Sequence, residues 1–201
     1  MPCPYVEGNA TMPEHKFRDR LREILLERSF KVGTFTLASG KSSDYYVDCR
    51  TTTLDPEGAD LTARLLLERI QGLPEPVDAV GGLTLGADPM AAALIVRSQI
   101  AGSPLRGFIV RKEAKGHGTG RRIEGNLRKG DRVAILEDVV TTGGSALQAI
   151  AAVEAEGAKV VEVLALVDRE EGGREALAAK GYPLFALFTA TELKAAARAG
   201  S

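Results

Sequence analysis

Residues 133–145 decide the fold of this chain and have the sequence Val133-Ala134-Ile135-Leu136-Glu137-Asp138-Val139-Val140-Thr141-Thr142-Gly143-Gly144-Ser145. The apolar residues at its start predict a buried strand, and two adjacent carboxylates fall where that strand is expected to end. A turn rich in hydroxyl groups and glycine follows, and residues 146–155 then place apolar side chains at helical spacing. Such a strand–loop–helix unit presents backbone N–H groups and a helix N-terminus to an anion.

The pair Glu137 and Asp138 indicates which kind of anion this loop binds. Carboxylates repel a bare phosphate, so they fit a phosphate carried by a sugar, whose hydroxyls donate to them, or one accompanied by Mg²⁺. A Walker A loop is excluded because no lysine follows the glycines, and the G-x-G-x-x-G spacing of dinucleotide sites is absent. The alternative is a plain strand–helix turn with an acidic strand end, which the order of the whole run disfavours.

The composition of the 201 residues predicts one α/β domain, with 44% hydrophobic and 26% charged residues. The formal net charge of -1 gives no global electrostatic argument for nucleic acid, so an anion site has to be a local cluster. No apolar run is long enough to cross a membrane, and no signal-peptide core is present at the N-terminus, so a cytoplasmic location is the default. The cysteines, Cys3 and Cys49, have neither metal-ligand nor redox spacing.

The order of the predicted elements gives an α/β fold with a small N-terminal subdomain. Residues 1–13 are expected to form a tail, residues 14–50 a subdomain of one helix and two short strands, and residues 51–201 the core. Alternating strands and helices in the core predict a parallel sheet flanked by helices, with ligands bound beyond the carboxyl ends of the strands. The predicted core strands are 77–81, 105–110, 132–136, 160–167 and 183–187, and the helices between them are 87–98, 146–155 and 173–180.

A second candidate site lies in residues 111–122, directly after a predicted strand. Glycines in this segment predict a mobile lid, and its positive charges require a polyanionic partner such as pyrophosphate. The alternative is a solvated basic loop, since runs of charge usually face water. The side chains that are or can become cationic are Arg111, Lys112, Lys115, His117, Arg121 and Arg122.

Several blocks of this sequence resemble one enzyme family. Residues 133–145 resemble the 5-phosphoribosyl-1-pyrophosphate (PRPP) motif of type I phosphoribosyltransferases, and residues 111–118 resemble the catalytic loop of orotate phosphoribosyltransferases. Residues 35–46 are similar to the N-terminal hood signature of that family, and residues 168–173 to the segment with its orotate-binding arginine. The resemblance implies a type I phosphoribosyltransferase-like sheet with residues 14–50 as the hood. Residues 81–89 would be the pyrophosphate loop.

The resemblance implies a role in PRPP binding for each matched residue. Glu137 and Asp138 would hold the ribose hydroxyls, and Asp138 would also help to stabilise positive charge on the ribose. Lys115 would be the lid residue most closely tied to turnover. The implied PRPP-binding residues are Arg111, Lys112, Lys115, His117, Glu137, Asp138, Val139, Val140, Thr141, Thr142, Gly143, Gly144 and Ser145.

The second substrate would be orotate, and the implied reaction gives orotidine 5'-monophosphate and pyrophosphate in UMP biosynthesis. Arg169 would bind the orotate carboxylate, and Thr141 would also face orotate. Tyr46 matches the aromatic residue beside the orotate pocket, although a half-buried strand position accounts for it equally well. Mg²⁺ would arrive with PRPP near Glu137 and Asp138 without a direct protein ligand. The resemblance also implies a homodimer whose lid closes over the neighbouring subunit's site.

Two positions depart from the family pattern. Many members carry lysines where this chain has Ala38 and Leu85, so the pyrophosphate contacts rest more heavily on residues 111–117, with Lys41 as one candidate replacement. A phosphoribosyltransferase for another base would share the PRPP motif but lack the blocks at 111–117 and 168–169. A PRPP sensor that regulates transcription would have lost the lid and would show a basic nucleic-acid-binding face.

Overall fold

The computed structural model describes residues 14–36, 42–113 and 122–199. The predicted tail 1–13, the residues Ala38 and Lys41, and the lid residues 114–121 with Lys115 and His117 lie outside these ranges. A π-helical turn, Leu25–Ser29, joins the first helix to the first strand. The strands are β1 Phe30–Thr36, β2 Ser42–Val47, β3 Ala79–Leu83, β4 Arg106–Val110, β5 Ile123–Gly125, β6 Arg132–Val140, β7 Lys159–Asp168 and β8 Leu184–Thr189. The helices are α1 Glu14–Ile24, α2 Arg50–Thr53, α3 Pro56–Gln71, α4 Ala87–Ile100, α5 Gly144–Ala155, α6 Gly173–Ala178 and α7 Ala190–Ala199.

The central sheet has six strands in the order β5-β4-β3-β6-β7-β8. All neighbouring strands are parallel except β5, which pairs with β4 in the antiparallel direction at one edge. β1 and β2 form a separate antiparallel pair. The sheet order places the carboxyl ends of β3, β6 and β7 side by side, which is where parallel sheets bind their ligands. The predicted α/β class with a mostly parallel sheet is confirmed.

The sheet separates two layers of buried side chains. Successive residues of β6 point to opposite faces, so Ala134 and Leu136 pack with α1, α3 and α4, whereas Val133 and Ile135 pack with α5 and α6. All four side chains are 0% exposed. Burial of a Val, Leu or Ile side chain contributes about 1.5–3 kcal/mol each, which explains why an unbroken apolar run forms this strand.

The N-terminus of α3 has the sequence features that favour a helix start. The Asp55 carboxylate accepts hydrogen bonds from the backbone N–H groups of Glu57 at 3.1 Å and Gly58 at 2.9 Å, and Pro56 occupies the first helical position. α1 buries Leu21 and Ile24 in the same cluster as α3, so it packs directly on the core. The boundaries of the tail, hood and core at residues 13 and 50 stay predictions.

One predicted boundary near the candidate site is wrong. β6 extends to Val140, four residues beyond its predicted end at 136, because Val139 and Val140 pair with Val167 and Asp168 of β7. The acid pair therefore lies inside a strand, where successive side chains point to opposite faces. β1 likewise begins at Phe30, whereas the sequence predicts the first of the two short hood strands only from Phe35. The sequence did not predict β5 or α7.

The length and the apolar character of the helices decide whether any of them could cross a bilayer. Among residues 14–36, 42–113 and 122–199, no helix combines the length and the apolar character needed to cross a membrane.

Candidate active site

Eight of the predicted site residues line a cavity of about 400 Å³ at the carboxyl ends of β3, β6 and β7, namely Tyr46, Lys112, Glu137, Asp138, Val139, Thr141, Ser145 and Arg169. Residues 46–50, from the end of β2 to the start of α2, form one wall, and residues 83–86 after β3 form another. Glu137, Asp138 and the following loop line it from β6, and Lys112 and Arg169 complete it. The strand ends thus bring together residues that are widely separated in the sequence.

The loop between β6 and α5 borders a second recess of about 80 Å³, lined by Glu137 and by residues 139–146. Gly143 precedes α5 with a φ of 79°, in the left-handed region that favours glycine. No side chain of the described residues caps this end of α5 with a hydrogen bond. The backbone N–H groups of its first turn are therefore available to an anion, and the predicted residues Thr141 to Ser145 surround that position.

Glu137 is a buried carboxylate and Asp138 a partly buried one, and they face two different parts of the cavity. Glu137 is 6% exposed and lies beside the recess at α5, and its Oε1 has no hydrogen-bond partner in the described part of the chain. Burial, and then the charge of Asp138, raises the pKa of Glu137 to about 8. Burial also raises the pKa of Asp138, although its carboxylate accepts a 2.9 Å hydrogen bond from the Val139 N–H. An unpaired buried carboxylate of this kind is a group prepared for a ligand that donates hydrogen bonds.

The loop after β3 packs against Asp138 through Gly86. A Cβ atom on Gly86 would lie 2.2 Å from Asp138 Oδ1, so only glycine allows this approach. Thr84 Oγ1 in the same loop donates a 2.7 Å hydrogen bond to Asp88 Oδ2 in the first turn of α4. Leu85, which lies between Thr84 and Gly86, is 68% exposed and carries no charge into the cavity.

Arg169 follows β7 and its side chain is only 11% exposed. Its Nε donates a 3.0 Å hydrogen bond to the Tyr45 hydroxyl, and its guanidinium carbon lies 4.9 Å from the centroid of the Tyr45 ring. Nη2 forms an ion pair with Glu171 Oε1 at 2.7 Å. The angles of this contact do not meet those of a hydrogen bond, so Nη2 has no hydrogen-bond partner among the described residues. Arg169 is thus held from one side with donors left for a ligand.

The two adjacent tyrosines of β2 have different surroundings because strand residues alternate. Tyr46, the predicted aromatic of the orotate pocket, is 42% exposed, lines the cavity, and lies 5.7 Å from the Phe35 ring between centroids. Tyr45 is 4% exposed and stacks on Phe30 at 5.2 Å between centroids. The sequence did not single out Tyr45, whose contact with Arg169 spans 124 positions. In the sequence, the alternation that places Tyr45 on the strand face opposite Tyr46 is a signal that could have found it.

The beginning of the predicted lid adds two cations to this end of the sheet. Lys112 lines the main cavity, and Lys112 and Arg111 both border a neighbouring cavity of about 650 Å³ next to Thr84 and Leu85. Arg111 Nη1 lies 3.7 Å from Glu124 Oε1 on β5. Arg111 and Lys112 therefore lie near the predicted pyrophosphate loop, and the roles of Lys115 and His117 stay predictions.

Comparison with known proteins places these features in a family. The family model described as "Phosphoribosyl transferase domain" matches residues 51–182. Orotate phosphoribosyltransferase of Aquifex aeolicus (strain VF5) is 50% identical over 179 residues, covering 88% of this chain and 97% of the relative. The enzyme of that name from Thermosynechococcus vestitus is 50% identical, over 89% of this chain and 93% of the relative.

Solved structures agree with the sequence matches. The crystal structure of Mycobacterium tuberculosis H37Rv orotate phosphoribosyltransferase in complex with Fe(III) dicitrate has a TM-score of 0.78 and 42% identity, covering 88% of this chain and 98% of that one. A structure of the same protein in complex with PRPP has a TM-score of 0.75 and 38% identity, covering 89% and 99%. The predicted resemblance is thereby confirmed, and the chain belongs to the orotate phosphoribosyltransferase family.

Proposed function

We propose that this chain catalyses the transfer of the phosphoribosyl group from PRPP to orotate, which yields orotidine 5'-monophosphate and pyrophosphate for UMP biosynthesis. The observation that carries this proposal is the shared cavity of the acid pair, the uncapped N-terminus of α5 and the buried guanidinium of Arg169. These groups are complementary to three parts of the two substrates, namely the ribose of PRPP, its 5-phosphate and a base that carries a carboxylate.

The position of PRPP follows from the chemistry of each group. The 5-phosphate lies at residues 141–145, where backbone N–H groups and hydroxyls donate to its oxygens. The ribose hydroxyls donate to Glu137 and Asp138, and the sugar gives a partner to Glu137 Oε1, which has none among the described residues. Arg111 and Lys112, with Lys115 and His117 of the lid, bind the diphosphate.

The reaction is a displacement at the anomeric carbon of the ribose. The bond to pyrophosphate breaks ahead of bond formation to the orotate nitrogen, so negative charge collects on the leaving group and positive charge on the ribose. Cations placed in advance around the leaving group lower the energy of that state, and Lys115 is the predicted residue most closely tied to it. Asp138 stabilises the positive charge on the ribose. Lid closure keeps water from hydrolysing PRPP.

The acid pair also fits Mg²⁺ carried in by PRPP. Mg²⁺ prefers oxygen ligands, keeps several waters, and is usually held by one or two carboxylates together with substrate phosphates. Glu137 Oε1 is a buried oxygen without a partner among the described residues, next to Asp138. When bound, the ion neutralises charge on the diphosphate. In residues 14–36, 42–113 and 122–199, no set of three or more acidic, histidine or cysteine side chains is arranged as a metal site.

The homodimer implied by the family is the second part of the proposal, together with the cytoplasmic location and the absence of nucleic-acid or membrane partners. Its structural support is limited to two apolar side chains one turn apart on α4, since Val96 is 60% and Ile100 71% exposed and both could be covered by a second copy of the chain. If the lid crosses the interface, mixing Lys115→Ala with Asp138→Asn protein restores activity, because one site per heterodimer is intact at both positions. No recovery in a mixture shown to exchange subunits would contradict a lid that acts across the interface.

The decisive experiment mixes the protein with Mg²⁺ and PRPP and measures pyrophosphate release with a panel of free bases. We expect release with orotate and little with uracil or purines. Release with a purine instead would assign another phosphoribosyltransferase activity. PRPP binding without release for any base would favour the sensor.

A further inference from the structure

The wall of the cavity that faces the acid pair contains an arginine held in a fixed position. Arg50 is the first residue of α2, and the Asp48 carboxylate accepts its Nε–H at 2.9 Å and its Nη2–H at 2.8 Å. The same carboxylate accepts the backbone N–H of Arg50 at 3.1 Å. This two-pronged contact orients the guanidinium plane, as a single contact does not.

Most of the donor capacity of Arg50 remains available. A guanidinium has five N–H donors, of which Asp48 accepts two, and the others have no hydrogen-bond partner in the described part of the chain. The side chain is 53% exposed and lines the cavity together with Asp138 and Leu85. Hydrogen bonding to Asp48 raises the pKa of Arg50, and the charge of Asp138 raises it further, so the two groups interact across the cavity.

The balance of charges that line the cavity indicates what Arg50 can bind. The described lining has the carboxylates Asp48, Glu137 and Asp138 and only the cations Arg50, Lys112 and Arg169. Arg169 is buried against Tyr45 and is directed to the base in the proposed function. Leu85, exposed in the loop after β3, contributes no charge. A diphosphate that enters this cavity therefore has Lys112 and Arg50 as the available cations of its described lining, with Arg111 at the neighbouring cavity.

We propose that Arg50 is a binding residue for the diphosphate group of PRPP, and that Asp48 is its positioning residue. Arg50 thus supplies from the β2–α2 wall the positive charge that Leu85 does not supply from the opposite loop. This inference rests on the proposed function, because it assigns one end of that substrate. The competing explanation is a surface ion pair that only fastens the start of α2 and contributes little.

The test compares Arg50→Gln with a matched control, Arg132→Gln. Arg132 makes a similar pair with Asp78, at 3.1 Å from Nε and 3.4 Å from Nη2, at the start of β6 and away from the cavity. We expect Arg50→Gln to raise the KM for PRPP and the inhibition constant of pyrophosphate by about tenfold or more, the size expected for loss of a charge-assisted contact. The KM for orotate and the thermal midpoint change little. Arg132→Gln leaves all these constants within about twofold.

Two further variants separate binding from mere structure. Asp48→Asn keeps a side chain of the same shape but loses the charge that orients Arg50, so we expect a smaller rise in the KM for PRPP and an unchanged KM for orotate. Leu85→Lys in the Arg50→Gln background returns a cation to the same cavity from the other wall. We expect it to recover part of the pyrophosphate affinity, which a role in stabilising α2 does not explain.

The outcomes distinguish this inference from the proposed function. Wild-type activity with orotate and unchanged PRPP and pyrophosphate constants in Arg50→Gln would overturn the role of Arg50 alone. A wild-type protein that releases no pyrophosphate with orotate would overturn the proposed function. In that case calorimetric titration of Mg²⁺ and pyrophosphate into wild-type and Arg50→Gln protein still decides whether Arg50 binds the diphosphate. Equal affinities there would overturn the inference.

Discussion

The two sides of the cavity are built in different ways. The β6–α5 side is one continuous stretch held by the parallel sheet, with Glu137 only 6% exposed and Asp138 partly buried. The β2–α2 side is short and polar, and it reaches the core through contacts such as Tyr45 with Arg169, 124 positions apart. The first side is fixed by strand pairing that the fold requires. The β2–α2 side depends on single side-chain contacts. We therefore expect substitutions on that side to be tolerated more readily and to change substrate binding by smaller amounts.

The largest effect is expected on the β6 side, from Asp138→Asn. Loss of the carboxylate removes the acceptor for a ribose hydroxyl, and we expect kcat/KM for PRPP to fall about 1000-fold, or about 4 kcal/mol. The free energy of unfolding should not fall, because a partly buried charge is removed rather than a packed core group. Calorimetry of PRPP binding and a urea titration measure the two quantities. Wild-type PRPP affinity in this variant would exclude Asp138 from the site.

The next effect tests whether Arg169 selects the base. Arg169→Ala and Arg169→Lys should each lower kcat/KM for orotate, by a ratio that corresponds to about 2–4 kcal/mol of lost transition-state stabilisation. Lysine is no substitute because it cannot reproduce the paired hydrogen bonds to a carboxylate. The KM for PRPP should stay nearly constant, and the preference for orotate over uracil should disappear. Steady-state kinetics with both bases measure this. An unchanged KM for orotate in Arg169→Ala would reopen the choice of base.

The raised pKa of Glu137 predicts a pH dependence of stability on the β6 side. Its pKa is about 8 in the native state against 4.5 for the ordinary group, so the native state binds more protons between these values. The stability present below pH 4.5 is therefore lost as the pH rises through about 8, by a few kcal/mol at most. Urea titrations of ligand-free protein from pH 5 to 9 should show this decline in wild type and a flatter curve in Glu137→Gln. Parallel curves would contradict the shift.

The smallest effect is expected where the β2 side reaches the core. Tyr45→Phe keeps the ring under Arg169 but removes the 3.0 Å hydrogen bond, so the KM for orotate should rise about fivefold, or about 1 kcal/mol. Its effect should be absent in an Arg169→Ala background, which a double-mutant cycle measures. Tyr182→Phe, which removes a surface hydrogen bond to Glu154, is the matched control. An additive effect of the two changes would separate Tyr45 from Arg169.

The same contrast explains what the sequence could predict. The acid pair and the phosphate loop are adjacent in the chain, so one motif specifies both, and the cavity places them together. The end of β6 was predicted four residues early, since the pairing of Val140 with Asp168 depends on a neighbouring strand. The sequence could not predict that Tyr45 contacts Arg169 or that Arg50 lines the cavity. Their importance comes from contacts across the fold, and local pattern only marks them as a strand residue and a charged residue.

Leu85 and Gly86 show how unevenly neighbouring positions tolerate change, which matters for anyone who builds variant libraries of this protein. Leu85 is 68% exposed, so we expect substitutions there to change the charge of the cavity with little loss of packing. Any side chain at Gly86 displaces the carboxylate of Asp138, from which a Cβ would be only 2.2 Å away. We therefore expect a library that randomises both codons to lose most of its active members at the second, whereas one that keeps Gly86 constant varies the charge at position 85 and leaves Asp138 in place.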